Sequence, residues 1–243
     1  MIKKYLVLIG ISISISLLIV ATLNYPGGTD EDVSTLGFSW SKNFISNILK
    51  EWALNGSINE ARIWAIISMF FYSFSCAIFF NNFSKKIVNK IASNFIKYVG
   101  ILTMPFTFFI ATPYHDLMLA ISNTLFWACI ICITVYLLKS KLNFFKIYAI
   151  ICLLIYYYAM YLYISKDWSS LAVVQKWNNI SAIFLLLGLE YFTNKKDFAN
   201  IKWAYLRQTY ERKRGVCGKY AFRDKRTQRT ANIGLAIWRL KCF

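Results

Sequence analysis

Histidine is almost missing from this chain: of 243 residues only His115 is one. A zinc centre built on several imidazoles is therefore excluded. Arginine is confined, with Arg62 the only one before Arg207. The long apolar runs hold few ionisable residues, which argues against a proton relay or a charged ion filter. Glu190, near the end of the last run, is the exception, and Lys195 is placed to neutralise it. No Walker loop, GxSxG elbow, HExxH or GxGxxG occurs, and Gly27-Gly28 reads as a turn. No cofactor and no metal are expected. The six cysteines are Cys76, Cys129, Cys132 and Cys152 in apolar runs and Cys217 and Cys242 in a basic tail. No pair falls in a polar loop, which argues against a disulfide framework. Cys129 and Cys132 are spaced CxxC, but WACIICI leaves no loop to wrap a metal.

What is present is apolar surface. Hydrophobic residues make up 58% and aromatic residues 18%, with only 3 prolines, more apolar than a soluble domain of this length. A bilayer-crossing helix needs roughly 20 mostly apolar residues. Six runs qualify, near 5–23, 63–80, 95–112, 117–138, 144–164 and 178–192, the last extended backwards through Leu171–Val174. The first run follows Lys3 and Lys4, as in a signal peptide. It is too long for one and lacks a small-x-small cleavage site, so it reads as a retained helix. The predicted fold is all-α: a polytopic membrane bundle of about six transmembrane helices.

Charge alternates along the chain. Lys3 and Lys4, then Lys85, Lys86 and Lys90, then Lys139, Lys141 and Lys146 mark one side without a single acid. The other side carries Asp30, Glu31, Asp32, Glu51 and Glu60, then Asp116, then a 165–177 loop with Lys166, Asp167 and Lys176. The excess of lysine predicts that both termini are cytoplasmic and that His115 faces outward. This is the pattern of a multi-pass protein of the plasma membrane.

The loop 24–61 opens with YPGGTDEDVSTLG. Within the following FSWSKNFISNILKEWALNG, Trp40, Phe44, Ile45, Ile48, Leu49 and Trp52 recur at helical spacing, and Ser39 or Ser41 can cap the start. An amphipathic outer-loop helix is predicted, lying on the membrane or over the bundle mouth. The competing reading is an ordinary packed loop.

The chain divides into residues 1–194, the transmembrane domain, and a basic tail, 195–243. The tail carries 14 Lys and Arg against Asp197, Glu211 and Asp224, and its arginines run from Arg207 to Arg239. It touches anionic headgroups or nucleic acid, or it is appended by frameshift or read-through, or it is a fragment of another domain. It has no recognisable nucleic-acid motif, so no specific nucleic-acid partner is expected. Membrane lipids are the expected partners, and six helices could also dimerise into a homo-oligomer.

His115 stands beside Asp116 at the outer start of the fourth run. Its chemistry admits three roles: general base, ligand or headgroup recognition, or a polar helix end. Consecutive helical residues do not face each other, so His115 and Asp116 need not interact. Asn123, Ser122 and Thr124 in the same run, Ser73 and Ser75 in the second, and Thr103 and Thr107 in the third suit hydrogen bonds between helices. Ser12, Ser14 and Ser16 with Gly10 suit close packing of the first. Pro105 would kink the third, and such a kink would open a cavity beside His115. The cluster IYYYAMYLYISKDW at 155–168 suits an interfacial aromatic belt.

The segment Gly37-Phe38-Ser39, Asn43, Phe44, Ile45 and Ser46 after the first run, with TPYHD at the junction of the third and fourth, resembles the bacterial six-helix DUF998 family. That family is similar in layout to the Frag1/DRAM/Sfk1 membrane proteins. The chain departs from its pattern at Asn47-Ile48-Leu49-Lys50, where the family has an acid then Leu-Gly. The resemblance covers about residues 5–195. It implies a topology more firmly than an activity.

Together these readings predict a lipid- or envelope-associated protein with an outer-face site near His115. Asp116, Asn43, Ser46 and Asn123 are its candidate ligand-binding companions. The alternative is an intramembrane hydrolase or transferase acting on a lipid, with His115 and Asp116 as candidate catalytic residues. A transporter would need coupling residues or an inverted repeat, and neither is evident.

Overall fold

The computed structural model describes residues 4–199 and 201. They form helices α1 (Leu6–Leu23), α2 (Arg62–Ser84), α3 (Lys90–Phe108), α4 (His115–Lys139), α5 (Asn143–Ser165) and α6 (Trp168–Phe192), with a short α7 (Lys195–Ala199). The six long helices, α3 taken with the 3-10 turn Phe109–Ala111, are long and apolar enough to cross a membrane. The molecule is a polytopic all-α membrane bundle.

Each helix follows the next up and down. An even number of crossings returns the chain to its starting end: the Tyr191 hydroxyl accepts from the Leu8 amide at 3.0 Å, and Tyr5 stacks on Tyr191. This is the terminal end. The loop 24–61 lies at the opposite, loop end, with the starts of α2, α4 and α6.

Local chemistry sets the boundaries. Asn89 caps α3 through the Ala92 amide, and Asp167 caps α6 through the Ser170 amide, both at 3.1 Å. Those Ser170 contacts hold the Asp167 carboxyl below its usual pKa. Lys166 adopts a left-handed conformation, φ 61°, and closes α5. The expected loop 165–177 is therefore two residues, 166–167, and α6 begins at Trp168. This puts Lys176 inside the sixth span, not in a loop.

Small residues and hydroxyls join the helices. Gly10 packs against Ser75, and Ser14 meets Ser68 at 3.1 Å across α1 and α2. Ser12 and Ser16 are exposed instead, two residues from the seam positions and so on the opposite face of the helix. Thr107 and Ser122 hydrogen-bond between α3 and α4. Phe79, Phe80 and Phe83 of α2 are fully buried.

The predicted amphipathic loop helix does not form. The loop instead holds one 3-10 helix, Ile45–Leu49, between two isolated β-bridges, Gly27–Leu36 and Trp52–Ile58. Neither Ser39 nor Ser41 caps it. Ile48 and Leu49 are buried with Ala21, Tyr25, Ala53, Ala61, Ala65 and Ile110. Trp40 and Trp52 are exposed. Four hydrogen bonds from two asparagines and a lysine to backbone carbonyls outcompete helical bonding. Asn43 donates to the Gly28 carbonyl at 2.7 Å and accepts from the Ser39 amide at 2.8 Å. Asn59 donates to the Ile48 and Lys50 carbonyls at 2.9 and 2.8 Å. Lys176 donates to the Asn43 carbonyl at 2.6 Å.

At the terminal end the bundle extends past residue 194. Phe198 is buried and sits edge-on to Phe83 at 5.5 Å. Lys86, not Lys195, is the cation beside Glu190. Its ammonium donates to the Leu189 and Glu190 carbonyls at 2.8 Å, while Asn82 donates to the Glu190 carboxylate at 2.7 Å. Burial lowers the Lys86 pKa, and nearby Glu190 opposes this. The arginines from Arg207 onward, Cys217, Cys242 and everything expected of them lie outside the described residues.

Candidate functional site

An open cavity of about 780 Å³ lies at the loop end, within the roughly 300–1,000 Å³ typical of ligand pockets. Its walls are single helix faces. Leu119, Ala120 and Asn123 of α4 line it, as do Tyr156, Ala159, Met160 and Tyr163 of α5, and Trp168, Leu171, Gln175 and Asn178 of α6. Each set recurs at three- and four-residue steps, the repeat of one helical stripe. From Trp168 to Asn178 the cavity descends about 15 Å at 1.5 Å per residue, about half the ~30 Å of bilayer hydrocarbon. The loop supplies the mouth with Asp30, Ser46, Asn47, Lys50 and Glu51.

Arg62 and His115 open α2 and α4, and both line this mouth. Neither helix has a side-chain cap at that end, so their first-turn amides add partial positive charge. Arg62 reaches Glu51 at 3.8 Å, and its Nε bonds to nothing among the described residues.

His115 and Asp116 interact, although neighbours on a helix need not. His115 Nδ1 lies 2.9 Å from Asp116 Oδ1. They sit at the very start of the helix, before the full helical ladder separates neighbouring side chains. A carboxylate only accepts, so Nδ1 carries the proton and donates. In the neutral ring Nε2 is then an acceptor; it is buried and unpartnered among the described residues. The Asp116 side chain is 99% exposed.

The expected site residues separate into two groups. His115, Asp116, Ser46 and Asn123 all line the cavity. Asn43 does not: it is fully buried, with both ends of its amide engaged by the loop backbone. It holds the wall in place. Asn47, Arg62 and Asn178 line the cavity and were not singled out by sequence. Asn47 Nδ2, Arg62 Nε, His115 Nε2 and Asn178 Oδ1 are four buried polar atoms of cavity-lining residues, without a hydrogen-bond partner among the described residues. The one cue for Arg62 was its isolation as the only early arginine. For Asn47 and Asn178 no local pattern exists.

The loop that roofs this region is tied to α6. Lys176 is buried and donates to the Asn43 and Ala172 carbonyls, each at 2.6 Å, with its ammonium 5.9 Å from the Phe38 ring centre. The Ile45 amide reaches Gln175 Oε1 at 3.4 Å. On the exposed rim, the hydrogen bond between Glu31 and Lys42, 2.8 Å, lowers the pKa of the acid and raises that of the base. Among the described residues no group of His, Cys, Asp and Glu could hold a metal ion.

Fold and cavity together define a multi-pass membrane helix bundle with an open, mixed polar and apolar cavity at one end. No protein-family model matches this chain, and it matches no curated protein and no solved structure.

Proposed function

We propose that this is a non-enzymatic, lipid-associated protein of the bacterial plasma membrane that receives the polar part of an amphiphile in the cavity. The carrying observation is the set of four unpartnered buried polar atoms on Asn47, Arg62, His115 and Asn178. Buried polar groups are costly unless bonded, and these belong to residues lining a cavity that Leu119, Met160 and Leu171 also line. A ligand with a polar head and an apolar body meets both needs. The loop end is outward in this proposal, because the acid-free lysine clusters lie at the other end. Six spans with a long loop after the first, and a histidine opening α4, are also what a DUF998-like affiliation would require.

The test is mass spectrometry of lipids that co-purify in mild detergent with the wild type and with His115→Ala. A specific lipid in the wild type, reduced in the variant, is expected. The same nonspecific mixture in both would overturn the proposal.

A second reading rests on the 2.9 Å His115–Asp116 pair. With Nδ1 oriented by a carboxylate, Nε2 is free to act as a general base in lipid hydrolysis or transfer. A cleaved lipid seen only with the wild type would select it.

A further inference from the structure

We infer that the polar group taken at the cavity mouth is a phosphoester bearing a protonated amine, the headgroup chemistry of an ethanolamine-type phospholipid. This rests on the amphiphile-binding reading above.

The unpartnered atoms divide evenly by chemistry. Asn47 Nδ2 and Arg62 Nε are donors, and Asn47 is only 3% exposed. Arg62 opens the uncapped α2, and Asn47 and the uncapped start of α4 line the same cavity; helix-start amides and dipoles favour an anion. Several donors on residues that line one mouth suit a group with several acceptor oxygens, as a phosphate has. His115 Nε2 and Asn178 Oδ1 are acceptors, because Asp116 holds the imidazole proton on Nδ1.

Charge points the same way. The cavity is lined by three carboxylates, Asp30, Glu51 and Asp116, against two fixed cations, Lys50 and Arg62. A simple anion would meet net repulsion there. A zwitterion places its phosphate on the donors and its cation toward the exposed acids. Of the two acceptors, His115 Nε2 belongs to a mouth residue and also needs an N–H, which a primary amine supplies and a quaternary ammonium lacks. The site should therefore separate ethanolamine from both glycerol and choline headgroups.

The full chain in mild detergent is titrated by native mass spectrometry with phosphatidylethanolamine, phosphatidylglycerol and phosphatidylcholine of matched acyl chains, and separately with free phosphoethanolamine. The ethanolamine lipid should bind about tenfold more tightly than the other two, the loss of one charged hydrogen bond. Arg62→Gln should weaken it by about the same factor. Asp116→Asn, at an exposed position that leaves folding intact, should shrink its preference over the glycerol lipid. Equal affinity for all three lipids would overturn the inference and leave amphiphile binding standing. So would a preference unchanged in both variants. Phosphoethanolamine bound with no lipid would keep the headgroup chemistry and overturn the amphiphile reading. Binding of neither would overturn both.

Discussion

Lys176 Nζ donates to the Asn43 backbone carbonyl at 2.6 Å, joining the middle of the loop to a membrane-spanning helix 133 positions away. No carboxylate shares that ammonium among the ion pairs of the described residues. Lys176→Met keeps the apolar stem and removes the donor. Overall stability should change little, because a buried charge goes with the bond. The loop should loosen locally by about 1–3 kcal/mol, the cost of an orphaned carbonyl. Hydrogen exchange at 38–49 measures this; protection equal to the wild type would mean the tie does not hold the loop.

Lys86 predicts a pH dependence. Burial lowers its pKa from the ordinary 10.5. Between the lowered value and 10.5 the unfolded chain binds more protons than the folded one, so stability rises with pH across that window. Lys86→Met removes this slope, so the stability advantage of wild type over variant should grow from neutral pH towards 10.5. Thermal unfolding of both proteins at the two ends of the range decides it, and parallel curves would contradict the assignment.

Two glycines should differ in tolerance. A Cβ at Gly100 on α3 would strike the Phe80 ring, which is fully buried and has no free direction. Gly100→Ala should cost about 1–3 kcal/mol through overpacking. A Cβ at Gly10 would strike the Ser75 hydroxyl, which can rotate away from the Phe71 carbonyl. Gly10→Ala should be the milder change, and paired melting curves should rank them in that order.

Truncation should show a sharp boundary between Asn194 and Ile201. The longer chain keeps Phe198 against Phe83. The shorter one loses it, at about 3–5 kcal/mol for a buried aromatic. Detergent-solubilised yield and melting temperature compare the two; equal values would place Phe198 outside the folding unit.

The six spans were readable because hydropathy adds up locally, residue by residue. The second, expected over 63–80, is Arg62–Ser84. The sixth was the hardest, since Lys176, Asn178 and Asn179 dilute its first half, and only Leu171–Val174 hinted at its true start. The loop was misread for the opposite reason. Its helical spacing is real, but its conformation is set by Asn43 reaching Gly28 and by Lys176 reaching Asn43. Such partners lie too far along the chain for a periodic pattern to reveal. His115, Asp116 and Asn123 stood out as polar residues beside or within an apolar run, whereas Ser46, like Asn43, came from the segment that resembles a family pattern. Asn47 and Asn178 gain meaning only when their helix faces meet in space.

On one side of α5, Tyr156, Ala159, Met160 and Tyr163 face the cavity. Tyr157, Tyr158, Tyr161 and Ile164 are exposed and do not line it. The partition between the cavity and the surrounding bilayer is thus one helix thick, and α5 is the least covered of the six spans. A change in membrane thickness or lateral pressure that tilts α5 would reshape the cavity directly, so its occupancy should track the mechanical state of the bilayer as well as its composition.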